Sequence, residues 1–271
     1  HREEQFSLSN FHACILLLLT SLLAIFFLLS DKEGYGALRY IIFLFPILGI
    51  IWFVRIGSLL SLRFAAALVF LLCSVLFWAI FEQAGLSIAL FAEKLTRSEI
   101  FGISFPSAWF QSLNALFVIL LSPVFAAMWV RLGPLQPSSP VKFALGLIFL
   151  SLSFLLMVPA AILTEQGRVS PFWLVGLFFL QTIGELFLSP VGLSTMTKLA
   201  PDKSAGVLLG VWFLGSAFGN KLAGVLGGFF EATNPIELSG VFLSQAVCVA
   251  FAGILLLVFS PTLRRWMGTI P

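Results

Sequence analysis

The stretch that decides the fold is Phe172–Lys198, FWLVGLFFLQTIGELFLSPVGLSTMTK. A helix needs about 20 predominantly apolar residues to cross a bilayer, and this stretch is long enough, yet it carries the carboxylate Glu185 near its middle. An acid at membrane depth costs at least about 2.5–3.5 kcal/mol. Since a chain keeps such a group where it faces a wet cavity or a charged partner, Glu185 is predicted to belong to a functional site enclosed by neighbouring helices.

The composition points to a membrane protein. Of the 271 residues, 60% are hydrophobic and 10% are charged, and the mean hydropathy is +1.08. An ordinary soluble domain is about 25% charged, and no soluble packing hides so much apolar surface. The net charge of +3 comes from cations scattered through the connections. We therefore expect the lipid bilayer as a partner and no nucleic acid, which would require a basic face.

About eight apolar runs of roughly 15–27 residues can be marked, each close to the length that spans a bilayer. Each is predicted to be helical, because lipid offers no hydrogen bonds to an open backbone. The predicted fold is therefore an all-α polytopic membrane protein. The runs are Phe11–Leu29, Leu38–Val54, Phe64–Ile80, Ser107–Val130, Val141–Leu163, Phe172–Thr195, Ala205–Phe230 and Val241–Ser260.

The first two runs differ from the other six. They carry no charge at membrane depth, and Pro46 interrupts the second. We interpret residues 1–61 as a transmembrane helix hairpin and residues 62–271 as a six-helix bundle. Lys and Arg collect on the side where both termini would lie, so both termini are predicted to be cytoplasmic. The start, His1-Arg2-Glu3-Glu4, lacks an initiator Met and is interpreted as that of a fragment.

Several other polar residues fall inside the last six runs. Glu82 is either an interfacial acid at a helix end or a membrane-depth acid, since apolar sequence resumes at Leu86–Ala92. Asn114 is either a helix–helix hydrogen-bonding group or a cavity residue. Lys221 either extends its ammonium to the interface or forms an ion pair with Glu82, a hypothesis that rests on their similar depth. Trp212 is predicted to line a pocket.

The run that contains Lys221 is also rich in glycine. Gly206/Gly210, Gly215/Gly219 and Gly224/Gly228 are three pairs of small residues four positions apart. Such pairs allow helices in a membrane to approach closely. This helix is therefore predicted to pack tightly against its neighbours.

Catalysis is not expected. Both histidines, His1 and His12, lie at the extreme N-terminus, and the three cysteines lack metal-binding spacing. No nucleophile elbow, metal cluster or phosphate-binding loop is present. We predict that the protein is not an enzyme and has no metal site and no cofactor.

Four motifs, in order, resemble the proton-dependent oligopeptide transporter family of the major facilitator superfamily. The likeness runs from about Phe64 to the C-terminus. The first two runs resemble the extra helix pair that bacterial members carry between their six-helix halves. The chain thus looks like that pair plus the C-terminal half, with the N-terminal six-helix half missing. The motifs are FWAIFEQ at Phe77–Gln83, FQSLN at Phe110–Asn114, GELFLSPVGL at Gly184–Leu193, and GVWFL at Gly210–Leu214 followed by Gly219-Asn220.

The resemblance implies roles for individual residues. Glu185 matches the acid that receives the amino terminus of the peptide, and Ser189 follows it in the same motif. Glu82 matches a carboxylate of the proton-coupling network, with Lys221 as its candidate partner here. Asn114 and Trp212 match positions that line the peptide pocket.

Two positions depart from the family pattern. Ala115 stands where the family usually has Pro after the matched Asn, and Lys221 is unexpected beside the Gly-Asn pair. The missing half would supply the basic residues that partner the coupling acid.

The resemblance therefore implies a function for the intact protein. We expect symport of protons with di- and tripeptides across the inner (plasma) membrane, driven by the proton gradient. Two alternatives stay open. One is a carrier of the same fold for a non-peptide solute, and the other is a non-transporting remnant or interaction subunit.

Overall fold

The computed structural model describes residues 62–100, 102–200, 205–227 and 234–268. The chain divides into two compact units, His1–Phe64 and Ala65–Pro271, and the described residues belong almost entirely to the second. The helix hairpin predicted at residues 1–61 lies outside the described residues. Within the described part, six helical segments are long and apolar enough to cross a membrane. These segments confirm the prediction of an all-α polytopic fold for the last six runs.

The helices follow one another with short connections. A 3-10 turn, Glu82–Gly85, joins the first two, and another, Ser107–Gln111, leads into the third. The α-helices of the described part are α1 (Leu62–Phe81), α2 (Ser87–Leu95), α3 (Ser112–Leu132), α4 (Ser139–Leu163), α5 (Phe172–Leu199), α6 (Ala205–Gly227) and α7 (Pro235–Met267).

The first membrane-spanning segment of the described part extends beyond the predicted apolar run Phe64–Ile80. The helix α1, the 3-10 turn and α2 form a single span, Ala65–Leu95. Glu82 directly follows the end of α1 and lies near the middle of this apolar span, a position that favours the interpretation as a membrane-depth acid. The turn interrupts the regular helix where the acid and Gly85 replace the apolar residues.

The last helix is longer at both ends than its apolar run, Val241–Ser260. It begins at Pro235 and ends at Met267, and its terminal turns are more polar than the apolar run between them. The Asn234 side chain accepts a hydrogen bond of 3.0 Å from the Ile236 N–H, which caps the N-terminus. Arg264 and Arg265 occupy the last turn, where positive charge is favoured by the helix dipole. A hydropathy pattern alone does not detect such turns.

A small hairpin that the sequence analysis did not predict follows α2. Its strands, β1 (Glu99–Ile100) and β2 (Ile103–Ser104), pair antiparallel, and Gly102 lies between them with φ of +80°. Two-residue strands are too short to show the alternation that identifies a strand. Just before the hairpin, the Val169 N–H donates to the Leu95 carbonyl at 2.8 Å, which joins this loop to the segment before α5.

Helix α4 is the centre of the packing, with α5 on one side and α7 on the other. Where α4 meets α5, a β-carbon added at Gly146 would lie 2.9 Å from the carbonyl oxygen of Gly184. On the other side, the Ser151 hydroxyl donates to the Ala246 carbonyl of α7 at 2.8 Å. Close backbone contact therefore fixes the height and rotation of α5, which carries Glu185.

Only one of the predicted glycine pairs on α6 makes a close contact within the described part. A β-carbon at Gly219 would lie 2.8 Å from the Val75 carbonyl oxygen of α1, and one at Gly215 would lie 2.6 Å from the Leu71 side chain. Gly206, Gly210 and Gly224 have nothing within 4 Å of that position. The Gly215/Gly219 pair is thus the contact surface between α6 and α1.

Candidate functional site

The carboxylate of Glu185 is held by an amide from a neighbouring helix. The side chain of Asn114, in the first turn of α3, donates from Nδ2 to Oε2 of Glu185 at 3.0 Å and to Oγ1 of Thr182 at 3.2 Å. Thr182 in turn donates to the Phe178 carbonyl at 2.8 Å. The first bond reaches the carboxylate, and the other two hold Asn114 and Thr182 in place beside it. Together they orient a partly buried carboxylate inside an apolar span.

The rotation of α5 explains why Glu185 faces this way. Gly184 sits against the backbone of α4, and successive residues of an α-helix are about 100° apart. Glu185 therefore turns away from α4 and towards α3, where Asn114 meets it. The Gly-Glu pair in the sequence thus encodes both the close packing and the direction of the acid.

Glu82 is half-buried in the 3-10 turn between α1 and α2. No hydrogen bond joins Glu82 to Glu185 among the described residues, although the charge of Glu185 is near enough to influence Glu82. The part of Glu82 in proton coupling stays a prediction.

Gln83, the last residue of the FWAIFEQ motif, is a functional candidate for which no role was predicted from the sequence. Its fully buried side chain donates to the Ala223 carbonyl of α6 at 3.0 Å and to the Ala79 carbonyl at 3.3 Å. It also accepts a hydrogen bond of 2.9 Å from the Ser87 hydroxyl. Gln83 therefore fastens the turn that carries Glu82 to α6.

Lys221 does not form the predicted ion pair with Glu82 among the described residues. Ala223 is the α6 residue that faces the Glu82 turn, and residues two positions apart do not share a helix face. Lys221 is accordingly exposed. The similar depths of Lys221 and Glu82 could not reveal this exposure, because the depth of a residue along a helix does not determine which face of the helix it occupies.

Trp212 is a packed core side chain in this structure. It is 2% exposed, its indole meets Phe143 of α4 edge to face with ring centroids 5.8 Å apart, and it covers Gly192 of α5. Trp212 thus joins α4, α5 and α6 just beyond the carboxylate site. Its contact with a bound substrate stays a prediction.

A polar stripe runs along α5 on both sides of Glu185. Ser189, one turn beyond the acid, has a buried hydroxyl oxygen without a hydrogen-bond partner among the described residues. Gln181, one turn before it, is 0% exposed, and neither polar atom of its side chain has a partner in the described part. Gln181 was not predicted from the sequence, although its spacing of four residues from Glu185 is a usable signal.

Comparison with known proteins supplies the family. A family profile described as "POT family" matches residues 61–242, which is more than half of the chain. The di-/tripeptide transporter of Lactococcus lactis subsp. cremoris is 33% identical over 278 residues, which cover 96% of this chain and 55% of that protein. The peptide transporter YePEPT of Yersinia enterocolitica is 40% identical over 211 residues, covering 76% of this chain and 41% of that protein.

Solved structures agree with the sequence relatives. A crystal structure of the peptide transporter POT in complex with sulfate matches with a TM-score of 0.78 and 35% identity, covering 98% of this chain and 55% of that one. A mutant of peptide transporter POT in complex with alafosfalin matches with a TM-score of 0.79 and 36% identity, covering 96% of this chain and 54% of that one. This chain spans about half the length of the curated relatives it matches. The resemblance drawn from the four motifs is confirmed, and the chain belongs to the POT family of transporters.

Proposed function

We propose that this chain is the C-terminal part of a symporter that carries di- and tripeptides together with protons across the cytoplasmic membrane. The observation that carries the proposal is the Glu185 carboxylate, held inside an apolar span by Asn114 at 3.0 Å. The names of the relatives, which are peptide and di-/tripeptide transporters, support the substrate class. The other half of the transporter would correspond to the part of its relatives' length that this chain does not cover.

In this proposal Glu185 receives the cationic amino terminus of the peptide. A carboxylate in a poorly solvated site attracts an ammonium group more strongly than it would in water. Asn114 fixes one carboxylate oxygen, so the acid is oriented before the peptide arrives. Ser189, one turn beyond the acid, has a buried hydroxyl that lacks a partner in the described structure, and in this proposal it becomes a hydrogen-bonding group for the peptide when the site opens.

Glu82 would couple the peptide to the proton. The repulsion between Glu82 and Glu185 is relieved when one carboxyl group takes up a proton or when an ammonium group binds nearby. Proton uptake and peptide binding therefore act on the same pair of charges. The proton gradient would supply the driving force, and no other cofactor is required.

Transport itself would follow from alternating access. Transporters built from two related halves bind substrate near the bilayer midplane and rock one half against the other. Glu185 and Glu82 both lie well inside their spans, at a depth that suits such a site. The positive-inside pattern supports cytoplasmic termini in the inner membrane.

The test is the substitution Glu185→Gln in the full-length natural protein, with dipeptide binding and expression measured side by side. We expect at least about tenfold weaker binding at unchanged expression, because truncating one partner of a buried charge pair costs about 2–5 kcal/mol. The control is Glu165→Gln, which alters an exposed acid in the loop before α5. Undiminished dipeptide binding by the Glu185→Gln protein would contradict the proposal.

A second measurement separates a peptide carrier from a carrier of the same fold for another solute. Uptake of a labelled dipeptide should be inhibited by unlabelled dipeptides and should be insensitive to free amino acids and nitrate. Inhibition by amino acids or nitrate alone would assign the site to a non-peptide solute.

A further inference from the structure

One end of the described bundle carries only positive charge. The described carboxylates lie inside spans or at the opposite end, and none accompanies the cations here. A cluster of charges of one sign attracts ions of the opposite sign from the surroundings. The cations at this end are Arg63, Arg131, Lys142, Lys198, Arg264 and Arg265.

Lys142, in the first turn of α4, is held in a fixed position by two groups. Its Nζ donates to Oε1 of Gln136 at 2.7 Å and lies 3.9 Å from the centre of the Trp129 ring. Gln136 is itself anchored, because its Nε2 donates to the Trp129 carbonyl at 2.8 Å. An ammonium group has three hydrogens to donate, so Lys142 retains donor capacity while its position is set.

Lys198 adds a second cation beside the first. Helices α4 and α5 run antiparallel in close contact, with Gly146 packed against Leu188, so the start of α4 lies beside the end of α5. The charges of Lys142 and Lys198 are near enough to repel each other. An anion bound between the two ammonium groups would relieve that repulsion.

The surroundings of the two lysines favour a lipid over a free anion. Trp129 packs edge to face against Phe187 of α5, with ring centroids 5.7 Å apart. Close to it, Val130 and Leu135 are exposed within this part of the transporter. Tryptophan is typical of the membrane–water interface, and exposed aliphatic side chains beside it are suited to acyl chains. A free phosphate would make no use of this apolar surface.

We propose that Lys142, Lys198 and Trp129 form a binding site for the phosphate group of an anionic phospholipid. Lys142 and Lys198 bind the phosphate, and Gln136 and Trp129 hold Lys142 in place. Val130 and Leu135 contact the acyl chains. Basic sites between transmembrane helices are known to suit such headgroups. This site is separate from Glu185 and does not depend on what the protein transports.

The test uses native mass spectrometry of the full-length natural protein in detergent. The protein is titrated with phosphatidylglycerol, with phosphatidylcholine of the same acyl chains, and with inorganic phosphate as a competitor. The test variant is the double substitution Lys142→Gln and Lys198→Gln. The matched control is Arg264→Gln and Arg265→Gln, which removes two charges from the last turn of α7 at the same end.

We expect the parent to bind phosphatidylglycerol more tightly than phosphatidylcholine. The test variant should lose at least about tenfold of that affinity and the control less than about threefold. The single change Lys198→Gln, at an exposed position, should give part of the loss if the double variant does not fold. Equal losses in test and control variants, no preference for the anionic lipid, or displacement of the lipid by low millimolar phosphate would each overturn the proposal.

Discussion

Asn114 and Glu185 lie 71 positions apart in the chain and are joined by a hydrogen bond of 3.0 Å between Nδ2 and Oε2. The bond connects α3, which has no buried residue within its span, to the more deeply packed α5. A neutral amide stabilises the carboxylate without cancelling its charge. Glu185 is therefore oriented and still able to attract a cation, which is the property that a site for a peptide amine requires.

The first prediction concerns this bond. Asn114→Leu removes the donor to both Glu185 and Thr182, while Thr182 keeps its bond to the Phe178 carbonyl. Hydrogen bonds to charged groups contribute about 1.5–3 kcal/mol, so the KM for dipeptide uptake should rise roughly 10- to 100-fold. Gln111→Leu, at an exposed position one turn earlier, is the control and should change the KM less than about twofold. An unchanged KM for Asn114→Leu would remove Asn114 from the site.

The second prediction concerns the pair of carboxylates. Glu82→Gln removes one of two repelling charges and keeps the size of the side chain. Peptide exchange across the membrane should persist, because Glu185 and Asn114 are intact. Accumulation of peptide driven by a pH gradient should fall at least about tenfold, because the carboxyl group proposed to carry the proton is lost. Proteoliposomes with and without an imposed pH gradient give both quantities.

The control for this experiment is Glu93→Gln, which changes an exposed acid of α2. It should leave both exchange and accumulation at the level of the parent. If the Glu82→Gln protein accumulated peptide normally, proton coupling would have to reside elsewhere in the molecule.

The spans and the central acid could be predicted because both depend on large energies. Apolar composition over a membrane-spanning length leaves few alternatives to a helix, and α5 extends over Phe172–Leu199, close to the predicted Phe172–Thr195. The cost of placing a carboxylate in lipid marks Glu185 in the same way. These predictions need no knowledge of which helices are neighbours.

Predictions that depend on the rotation of a helix about its own axis were not all confirmed. Lys221 and Glu82 have similar depths along their helices, but the contact of Ala223 with Gln83 turns Lys221 outward. Trp212 was predicted to line a pocket; its side chain is buried against Gly192, and its contact with a bound substrate stays a prediction. The rotation of α6 is set by the contact of Gly215 and Gly219 with α1, which is a property of two helices together.

The third prediction concerns the attachment of the Glu82 turn to α6. Gln83→Leu removes the bond to the Ala223 carbonyl and leaves the Ser87 hydroxyl without its acceptor. An unsatisfied buried polar group costs about 1–3 kcal/mol, so the protein in detergent should unfold at a lower temperature. Gln166→Leu, at an exposed loop position, should leave the melting temperature unchanged. Equal melting temperatures for the Gln83→Leu protein and the parent would show that this bond does not hold the turn.

The fourth prediction concerns the contact between Gly192 and Trp212. A β-carbon at Gly192 would overlap the indole ring of Trp212, whereas one at Gly210 would meet nothing within 4 Å. Gly192→Ala should therefore lower the melting temperature, since overpacking a core costs about 1–3 kcal/mol. Gly210→Ala should be neutral or slightly stabilising, because alanine is the better helix former by about 1 kcal/mol.

A double substitution distinguishes this clash from a general defect at position 192. In a protein that carries Trp212→Leu, the ring is absent and the alanine at position 192 has room for its β-carbon. The melting temperature of the double variant should thus equal that of Trp212→Leu alone, a non-additivity expected only of residues in contact. Additive losses would place the indole elsewhere.

Dipeptide KM values for Trp212→Leu then report on its predicted role in the pocket, because a purely packing residue should alter the melting temperature and leave the KM unchanged.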